Sequence, residues 1–384
     1  MPITYKCALE IIKNSIKPLH VTQELPLFET LRSIASQNIL ARYALPKTSI
    51  SLKEGYGIHL LKNEMRYTLL CDKVIDFLPE GYACKLATGD SIPVGVDAVI
   101  AEEDIRAMSE DTIWLSFPPQ HGQNIKREGE DIKLGEIILN KGECISAHKI
   151  TPIASQGISK ICIFRKPKVS ILSIGNHLSS IESPNQHDTI YNSNAMSLGA
   201  RIIELNAEIG TIEVCAEDEK IILKKLEILS KNADFVITSG AMSSQDAMNV
   251  SLENALLNIL FHRVCISPSR PSSLSLLGNT PILHLPGLPL SCMLGFEMLG
   301  VPILKTLQNL SLDVKPTMLK NQKKLTCRAS CTSAIPGWSD GKVFMSTPTY
   351  QAGMLNVLRA CNGYLLIEGK ESIEEGELVP FYAF

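Results

Sequence analysis

The chain has 384 residues, too many for one hydrophobic core, and this length predicts two to four domains. With 45% hydrophobic and 20% charged residues the composition is that of an ordinary soluble protein, and a net charge of −3 at pH 7 argues against general binding to nucleic acid or to an anionic membrane. The apolar stretch 281–304 is interrupted by Pro286, Pro289, Glu297 and Pro302, so we predict no membrane span.

The cysteines and the first residues bear on the cellular compartment. The eleven cysteines are odd in number and include no CxxC or CxxH pair, which predicts free thiols and argues against a disulfide framework or a zinc site. Residues 1–17 lack the apolar run of a signal peptide. We therefore predict a cytoplasmic protein.

The first 166 residues predict helices at both ends of a β-rich lobe. Apolar residues recur at helical spacing in 6–15, in 27–41 and near 146–156. Between 49 and 132 the texture changes to short apolar runs with Gly and Pro turns, and 67–78 and 97–105 are the clearest strands.

From residue 167 onward, strands and helices alternate. The predicted strands and helices, in chain order, are strand 168–175, helix 193–205, strand 207–214, helix 217–230, strand 234–240, helix 247–260, strands 261–267 and 280–287, and helix 289–307. Such alternation predicts a parallel, doubly wound sheet with helices on both faces. After residue 310 the helical pattern ends, and 341–348 and 362–369 predict a small β-domain.

Ligands of open α/β sheets bind beyond the carboxyl ends of the strands. Four such ends run into small or polar residues: Asn176-His177, Ala241–Ser244, Pro268–Pro271 and Leu288–Ser291. Free N–H groups at such turns suit anions, and the guanidinium of Arg270 suits an oxyanion. Simple glycine turns explain the same pattern, so the residues by themselves indicate only a site for an anionic small molecule.

Two charged segments of the first half, 87–104 and 122–132, mix Gly with Asp, Glu and Thr. Oxygen ligands in loops that glycine permits are what Mg²⁺ requires. A solvated, charged hairpin is the alternative, and the pattern alone leaves both open.

Six segments, in order, resemble the MoeA/gephyrin E-domain family of molybdopterin molybdenumtransferases. GQNIKREGEDI resembles that family's GxNxRxxGED, and DFVITSGAMSSQD resembles DxVIxSGGVSxGD. The other four are ATGDSIPVGVDAVIAEED, IYNSNAMSLGARIIELNAEI, HLPGLPLSCMLGFE and YQAGMLNVLRACNGYLLIEG. Because the six span almost the whole chain in the family order, the chain is identified as a divergent member.

The resemblance implies a four-part α/β multidomain fold. It comprises an elongated helical linker domain (1–48 with 133–166), a β-rich lobe (49–132), a doubly wound, parallel, three-layer α/β molybdopterin-binding domain (167–309) and a C-terminal β-barrel-like domain (310–384). It also implies a homodimer whose active cleft lies between the α/β domain and the β-lobe of the other subunit. A MogA-type adenylyltransferase would supply the substrate.

The implied reaction is the Mg²⁺-dependent insertion of molybdate into adenylylated molybdopterin, with release of AMP. The resemblance implies roles for residues at matching positions. Catalysis would use Glu54, Thr88, Asp131 and Arg270, and Mg²⁺ would be bound by Glu102, Glu130 and Asp131. Pterin binding would use Asn124, Arg127, Ser239, Gly240, Ser243, Asp246, Pro286, Gly287, Pro289 and Ser291.

Several residues depart from the family pattern, and most of them lie in the α/β domain. Asn176 and His177 replace two acids, Asn192 replaces Asp, Ala241 and Gln245 replace glycines, Ser267 replaces a lysine, Ser269 a glycine, and Leu288 replaces Asn. Glu54 stands where the family has Asp. These substitutions support an alternative function, a catalytically impaired dimer that binds pterin or acts as a scaffold. A third possibility is an enzyme of a related pterin or nucleotide.

Overall fold

The computed structural model describes residues 2–70, 75–183, 188–242, 248, 252, 256–347 and 351–384. The chain forms two compact units. The large unit contains Met1–Gln23, Arg32–Ile34 and Ile163–Phe384, and the small unit contains Glu24–Leu31 and Ala35–Cys162.

The helices of the described residues begin and end as follows: α1 Tyr5–Ser15, α2 Ala147–Ser155, α3 Ser193–Glu204, α4 Glu219–Asn232, α5 Pro289–Leu307 and α6 Leu355–Ala360. The predicted helices at 6–15, 146–156, 193–205, 217–230 and 289–307 are therefore confirmed. In α4 the carboxylate of Asp218 accepts the backbone N–H of Ile221 at 3.0 Å and caps the first turn.

The first twelve strands run from residue 22 to residue 164. They are β1 Thr22–Pro26, β2 Ile39–Leu40, β3 Ile50–Ser51, β4 Gly55–Ile58, β5 Arg66–Leu70, β6 Tyr82–Leu86, β7 Ala98–Ala101, β8 Ile105–Met108, β9 Thr112–Leu115, β10 Ile125–Lys126, β11 Ile137–Leu139 and β12 Lys160–Phe164. In the small unit a six-stranded sheet has the order β7-β4-β6-β5-β9-β8. Ile58, Tyr67, Ala83 and Ile113 are fully buried in its core.

Two predictions for the small unit are wrong in detail. Residues 27–41 do not form a helix: Leu27–Thr30 is a single 3-10 turn and β2 pairs with β11. The hydroxyl of Thr30 donates to the Leu27 carbonyl and closes that turn, and Arg32 has a left-handed φ of 65° that a helix excludes. The predicted strand 97–105 is divided by a 3-10 turn at Glu102–Asp104, because three consecutive carboxylates need solvent.

The strands of the large unit are β13 Lys168–Ile174, β14 Leu178–Ser179, β15 Ile190–Tyr191, β16 Glu208–Cys215, β17 Phe235–Ser239, β18 Asn258–His262, β19 Ile266–Ser267, β20 Ser273–Leu277, β21 Thr280–Leu285, β22 Thr317–Asn321, β23 Leu325–Thr326, β24 Thr332–Ser339, β25 Val343–Ser346, β26 Gly363–Ile367, β27 Ser372–Ile373 and β28 Leu378–Ala383. A six-stranded sheet with the order β16-β13-β17-β21-β20-β18 lies at the centre of the α/β part. The first four strands are parallel, which confirms the doubly wound α/β class, and one buried apolar cluster packs on each face.

The far edge of this sheet differs from the predicted pattern. Strand β20 runs antiparallel to both of its neighbours, β21 and β18, so the sheet is mixed. The predicted strand 261–267 is wrong, because Arg263, with φ 65°, turns the chain between β18 and β19. Half of the predicted helix 247–260 lies outside the described residues, and its last three positions belong to β18.

The helix α5 is long and apolar enough to cross a membrane by length and composition alone. However, 83% of its apolar window is buried inside the protein. Fully buried Leu290, Leu294, Phe296 and Leu299 place it in the core of the large unit.

The carboxyl-terminal region forms a closed barrel, as the resemblance implied. Strands β24, β25, β22, β28 and β26 follow one another, and pairing of β26 with β24 closes the ring. Fully buried Phe344 and Leu365 lie in its core with Leu319 and Val379. Strand β19 adds to β24 in parallel and so joins the loop before Arg270 to the barrel.

Cys265 and Cys331 form a disulfide between residues 66 positions apart. This corrects the prediction that every thiol is free. The two cysteines stand directly before β19 and β24, whose pairing brings them to the same end of two neighbouring strands. Spacing along the sequence did not reveal them, because the pairing of two distant strands creates their proximity.

Candidate functional site

A cleft of about 480 Å³ lies at the carboxyl ends of the parallel strands β13, β17 and β21. We name it the strand-end cleft. Its wall is formed by three turns that the sequence predicted to be near one another, together with the start of α3 and the segment before α6: residues 174–178, 190–194, 217, 239–241, 287–289, 353 and 355. The structure thus brings together the predicted site residues Ser239, Gly240, Gly287 and Pro289.

The floor of the strand-end cleft depends on two glycines. Gly240 has a φ of +104°, and a Cβ added there would lie 2.2 Å from the carbonyl oxygen of Ile174. A Cβ on Gly287 would lie 3.2 Å from the Cα of Gly240. Gly240 therefore has no room for a side chain, and Gly287 has room only if its neighbour shifts, so the strand ends line the cleft with backbone.

Ala241, where the family has glycine, also has a left-handed φ, of 53°. The sequence left open whether this position requires a positive φ, and in the structure its φ is positive. An alanine in this conformation costs about 1 kcal/mol relative to a relaxed backbone. The turn therefore carries a cost in stability at this position.

A chain of hydrogen bonds supports the wall of the cleft. The hydroxyl of Ser239 donates to Ser173 Oγ at 3.4 Å, and the hydroxyl of Ser173 donates to Asn192 Oδ1 at 2.9 Å. Asn192 is only 5% exposed. Asn194 Nδ2 donates to the carbonyl of Gly287 at 2.7 Å. The neutral Asn192, where the family has Asp, thus serves as a buried acceptor that fixes the start of α3.

Glu217 lines the strand-end cleft and was missed by the sequence reasoning. Its backbone N–H donates to Asn176 Oδ1 at 3.0 Å. Because Asn176 and His177 replace two acids, Glu217 is the carboxylate that the described wall of the cleft retains. Its place at the end of strand β16, next to β13 in the sheet, was the signal that could have found it.

A second pocket, of about 560 Å³, adjoins the first; we name it the two-arginine pocket. It is lined by residues 266–271, 291, 326–328, 333, 351 and 352. Arg270 and Ser291 were predicted, whereas Arg328, from the barrel, was not. Arg328 supplies a second cation to a pocket in which Ser267 has replaced a lysine. Among the residues that the structure describes, no carboxylate lines this pocket.

The two pockets share a wall. Pro289 and Gly353 line the strand-end cleft, whereas their near neighbours Ser291 and Ala352 line the two-arginine pocket. The N–H of Leu290 donates to the Ala352 carbonyl at 3.0 Å, which joins the start of α5 to this segment. Pro286 is buried behind this wall, and the predicted residues Ser243, Gln245 and Asp246 lie outside the described residues.

In the small unit, the two charged segments 87–104 and 122–132 meet at the backbone of β3 and the residue after it. The N–H of Ser51 donates to the carbonyl of Asp90 at 2.9 Å, in the exposed turn that carries Thr88. The N–H of Leu52 donates to the carbonyl of Asn124 at 2.9 Å. Asn124 has a φ of 54° and its side-chain amide donates to the carbonyl of Val99.

Three of the predicted acids, Glu102, Glu130 and Asp131, have basic or backbone partners. Asp131 Oδ2 lies 2.6 Å from Lys126 Nζ, and Glu102 Oε1 lies 3.2 Å from Lys85 Nζ, which raises the pKa of that lysine. Glu130 Oε2 accepts the N–H of Arg127 at 2.8 Å. Glu54, with an exposed side chain, accepts the N–H of Glu102 through its backbone carbonyl at 3.2 Å.

These contacts bear on the Mg²⁺ site that the resemblance implied. In the described part of the chain, no group of three or more His, Cys, Asp or Glu side chains is arranged to hold a metal ion. Glu102, Glu130 and Asp131 each engage a different partner, as described above. The described residues therefore do not form the predicted ligand set.

Comparison with known proteins agrees with the fold. Residues 3–157 match the MoeA N-terminal region (domain I and II), and residues 170–306 match a probable molybdopterin binding domain. A molybdopterin molybdenumtransferase of Haemophilus influenzae is 29% identical over 303 residues, which are 77% of this chain and 75% of that protein. One from Staphylococcus aureus is 26% identical over 333 residues, covering 83% and 79%.

A solved structure shares the fold. The molybdopterin biosynthesis MoeA protein of Pyrococcus horikoshii superimposes with a TM-score of 0.86 at 24% identity and covers 100% of both chains. The fold and its cleft define a protein with a molybdopterin-binding type of α/β domain. The chain belongs to the MoeA family.

Proposed function

We propose that the protein acts in molybdenum cofactor biosynthesis as a molybdopterin molybdenumtransferase. It would bind adenylylated molybdopterin in the strand-end cleft and molybdate in the two-arginine pocket, and would insert molybdate into the pterin with release of AMP. The observation that carries this proposal is the wall shared by the two pockets, because group transfer requires both substrates in adjoining sites.

The chemistry of the pockets fits these two substrates. Molybdate is a tetrahedral dianion, and the guanidiniums of Arg270 and Arg328 offer forked donors to its oxygens. The hydroxyl of Ser291, at the start of α5, is a further donor in the same pocket. In the neighbouring cleft, the close backbones of Gly240 and Gly287 leave room for a phosphate-bearing ligand, and Glu217 offers an acceptor.

Mg²⁺ dependence remains a prediction from the family resemblance. The same holds for the homodimer, for cytoplasmic location and for a MogA-type adenylyltransferase as substrate donor. Size-exclusion chromatography with light scattering tests the dimer directly. Assays with and without a chelator test the metal, and the outcome is independent of the anion-binding groups described above.

A second candidate function is a pterin-binding or scaffold protein without turnover. It is supported by particular contacts: Asn176 and Asn192 occupy their side-chain oxygens in hydrogen bonds within the protein, where the family has acids. Leu288, 53% exposed, presents an apolar surface to the cleft where the family has Asn. Such a protein would bind substrate and release no AMP.

One experiment separates these functions. The purified full-length protein is incubated with adenylylated molybdopterin, molybdate and Mg²⁺, and AMP is quantified by chromatography while binding is measured by calorimetry. Molybdate-dependent AMP release supports the transferase, and binding without release supports the scaffold. If neither pterin nor molybdate binds, both functions are refuted.

Arginine variants test the two-arginine pocket itself. Arg328→Ala and Arg270→Ala should each weaken molybdate binding about tenfold, because each removes a charge-assisted hydrogen bond of roughly 1.5 kcal/mol. Arg106→Ala, which removes an exposed arginine from strand β8 of the small unit, is the matched control and should bind molybdate like the parent protein. Equal binding by all three variants would contradict the assignment of the pocket.

A further inference from the structure

The Cys265–Cys331 disulfide lies beside the two-arginine pocket. Cys265 directly precedes the segment 266–271, which carries Arg270, and Cys331 follows Arg328 by three residues. In the parallel pairing of β19 with β24, Ile266 is opposite Thr332 and Ser267 is opposite Ser333. The disulfide therefore joins the two segments that carry the two guanidiniums, at the point where both enter the pocket.

The turn that carries Arg328 lies between two backbone anchors: the N–H of Cys327 donates to the carbonyl of Glu371 at 2.8 Å, and the N–H of Thr332 donates to the carbonyl of Cys265 at 2.9 Å. Thr326, Arg328, Ala329 and Ser330 are all exposed. The N–H of Arg328 donates to Ser333 Oγ at 3.3 Å, and its carbonyl accepts the N–H of Cys331 at 3.0 Å. Between the two anchors these bonds shape the turn locally, and the disulfide is the covalent link from that turn to the loop of Arg270.

The disulfide is open to a small reductant. Cys265 and Cys331 are half-buried and line a separate pocket of about 300 Å³, whose wall also contains Tyr5, Lys6 and Glu368. The Sγ of Cys265 lies 2.9 Å from the carbonyl oxygen of Ser330, an acceptor that the reduced thiol can use.

We propose that the Cys265–Cys331 pair is a redox switch on the two-arginine pocket, which we call the latch. The disulfide holds Arg328 next to Arg270, and its reduction by a small dithiol releases Arg328 and weakens oxyanion binding. The proposal rests on the proposed function in that molybdate is taken as the pocket's ligand. In a reducing compartment, disulfides are transient or redox-sensing, which suits a latch better than a permanent staple.

The reduction step balances as ordinary thiol–disulfide exchange. A thiolate of the dithiol attacks one sulfur of the pair, forms a mixed disulfide and expels the other cysteine as a thiolate, which takes a proton. The second thiol of the reagent then closes onto its own sulfur in the mixed disulfide and frees the remaining cysteine. Two electrons and two protons pass from the dithiol to Cys265 and Cys331.

The test is calorimetric binding of molybdate to the full-length protein after oxidation with glutathione disulfide and after reduction with dithiothreitol. Mass spectrometry reports the state of the cysteine pair. We expect the oxidised protein to bind molybdate about tenfold more tightly, the change for losing one charge-assisted hydrogen bond. By linkage, saturating molybdate should lower the reduction potential of the pair by about 30 mV, which is the tenfold change for a two-electron couple.

Cysteine variants, together with the oxidised and reduced parent protein, distinguish failure of the latch from failure of the molybdate pocket. Cys265→Ser with Cys331→Ser should bind molybdate like the reduced protein and ignore dithiothreitol, whereas Cys7→Ser should retain the full redox response. Equal affinity of the oxidised and reduced parent protein, absence of the disulfide after oxidation, or a response retained in the double variant would each overturn the latch alone. Absence of molybdate binding in both redox states would overturn the latch and the molybdate pocket together.

Discussion

The ion pair between Arg201 and Glu297 connects the two helices that frame the functional site. Arg201 Nε lies 2.7 Å from Glu297 Oε1, and its Nη2 lies 3.2 Å from Glu297 Oε2. The side chains are only 15% and 3% exposed. Arg201 belongs to α3 and Glu297 to α5, whose first residues line the strand-end cleft. The pair therefore fixes two walls of the cleft from behind.

Replacing Arg201 with Met keeps much of the packed volume and leaves a buried carboxylate without its cation. Removal of one partner from a buried, doubly bonded pair costs about 3–5 kcal/mol. Burial raises the pKa of Glu297, and the guanidinium opposes that rise. In the variant the pKa of Glu297 rises further. A carboxyl group whose pKa is higher in the folded state than in the unfolded state adds stability at low pH, and this stability is lost as the pH rises through the folded-state pKa. The variant's loss should therefore be larger at pH 8 than at pH 5.

The assay is urea unfolding of parent and variant at both pH values, followed by circular dichroism. Glu204→Gln is the matched control, because Glu204 bonds the same guanidinium at 3.0 Å but is 65% exposed, and it should cost under about 1 kcal/mol. Arg201→Met combined with Glu297→Leu should recover much of the loss. A loss below about 1 kcal/mol for Arg201→Met, or one that does not change with pH, would refute this reasoning.

Further predictions concern the cleft turn and a buried histidine. Gly240→Ala should cost at least about 2 kcal/mol by thermal unfolding, because its Cβ would meet a backbone oxygen at 2.2 Å, and should abolish pterin binding by calorimetry. Ala241→Gly should instead raise stability by roughly 0.5 kcal/mol, because it relieves a left-handed alanine. His284 is buried between Thr238 and Ser275, and burial lowers its pKa from the ordinary value of 6.5 to about 3. The stability that the neutral imidazole contributes is therefore present above pH 6.5 and is lost as the pH falls from 6.5 toward 3. His284→Gln should flatten the loss of stability with falling pH, and an unchanged pH profile would contradict this account.

Sequence patterns predicted the α/β part well because its signals are local. The strands at 168–175 and 234–240 are uninterrupted apolar runs, and the helix 217–230 carries its acids at the start, where the dipole favours them. The same kind of pattern failed at 27–41. There the helical spacing is present, but a buried Thr30 and a left-handed Arg32 turn the chain. Periodicity reports which residues are apolar, and it does not report which backbone partner a segment finds.

The sequence by itself determined the family and the segments of the site, since these depend on the order and identity of residues along the chain. GQNIKREGEDI, for example, marked residues 122–132 as a segment that resembles the family's GxNxRxxGED, but it did not reveal the 2.6 Å contact of Lys126 with Asp131. Only the tertiary structure decided which distant groups meet. The pairing of β19 with β24 brought Cys265 and Cys331 together, and Arg270 and Arg328 line one pocket. Proximity of this kind arises from strand pairing across the fold, which no local pattern records.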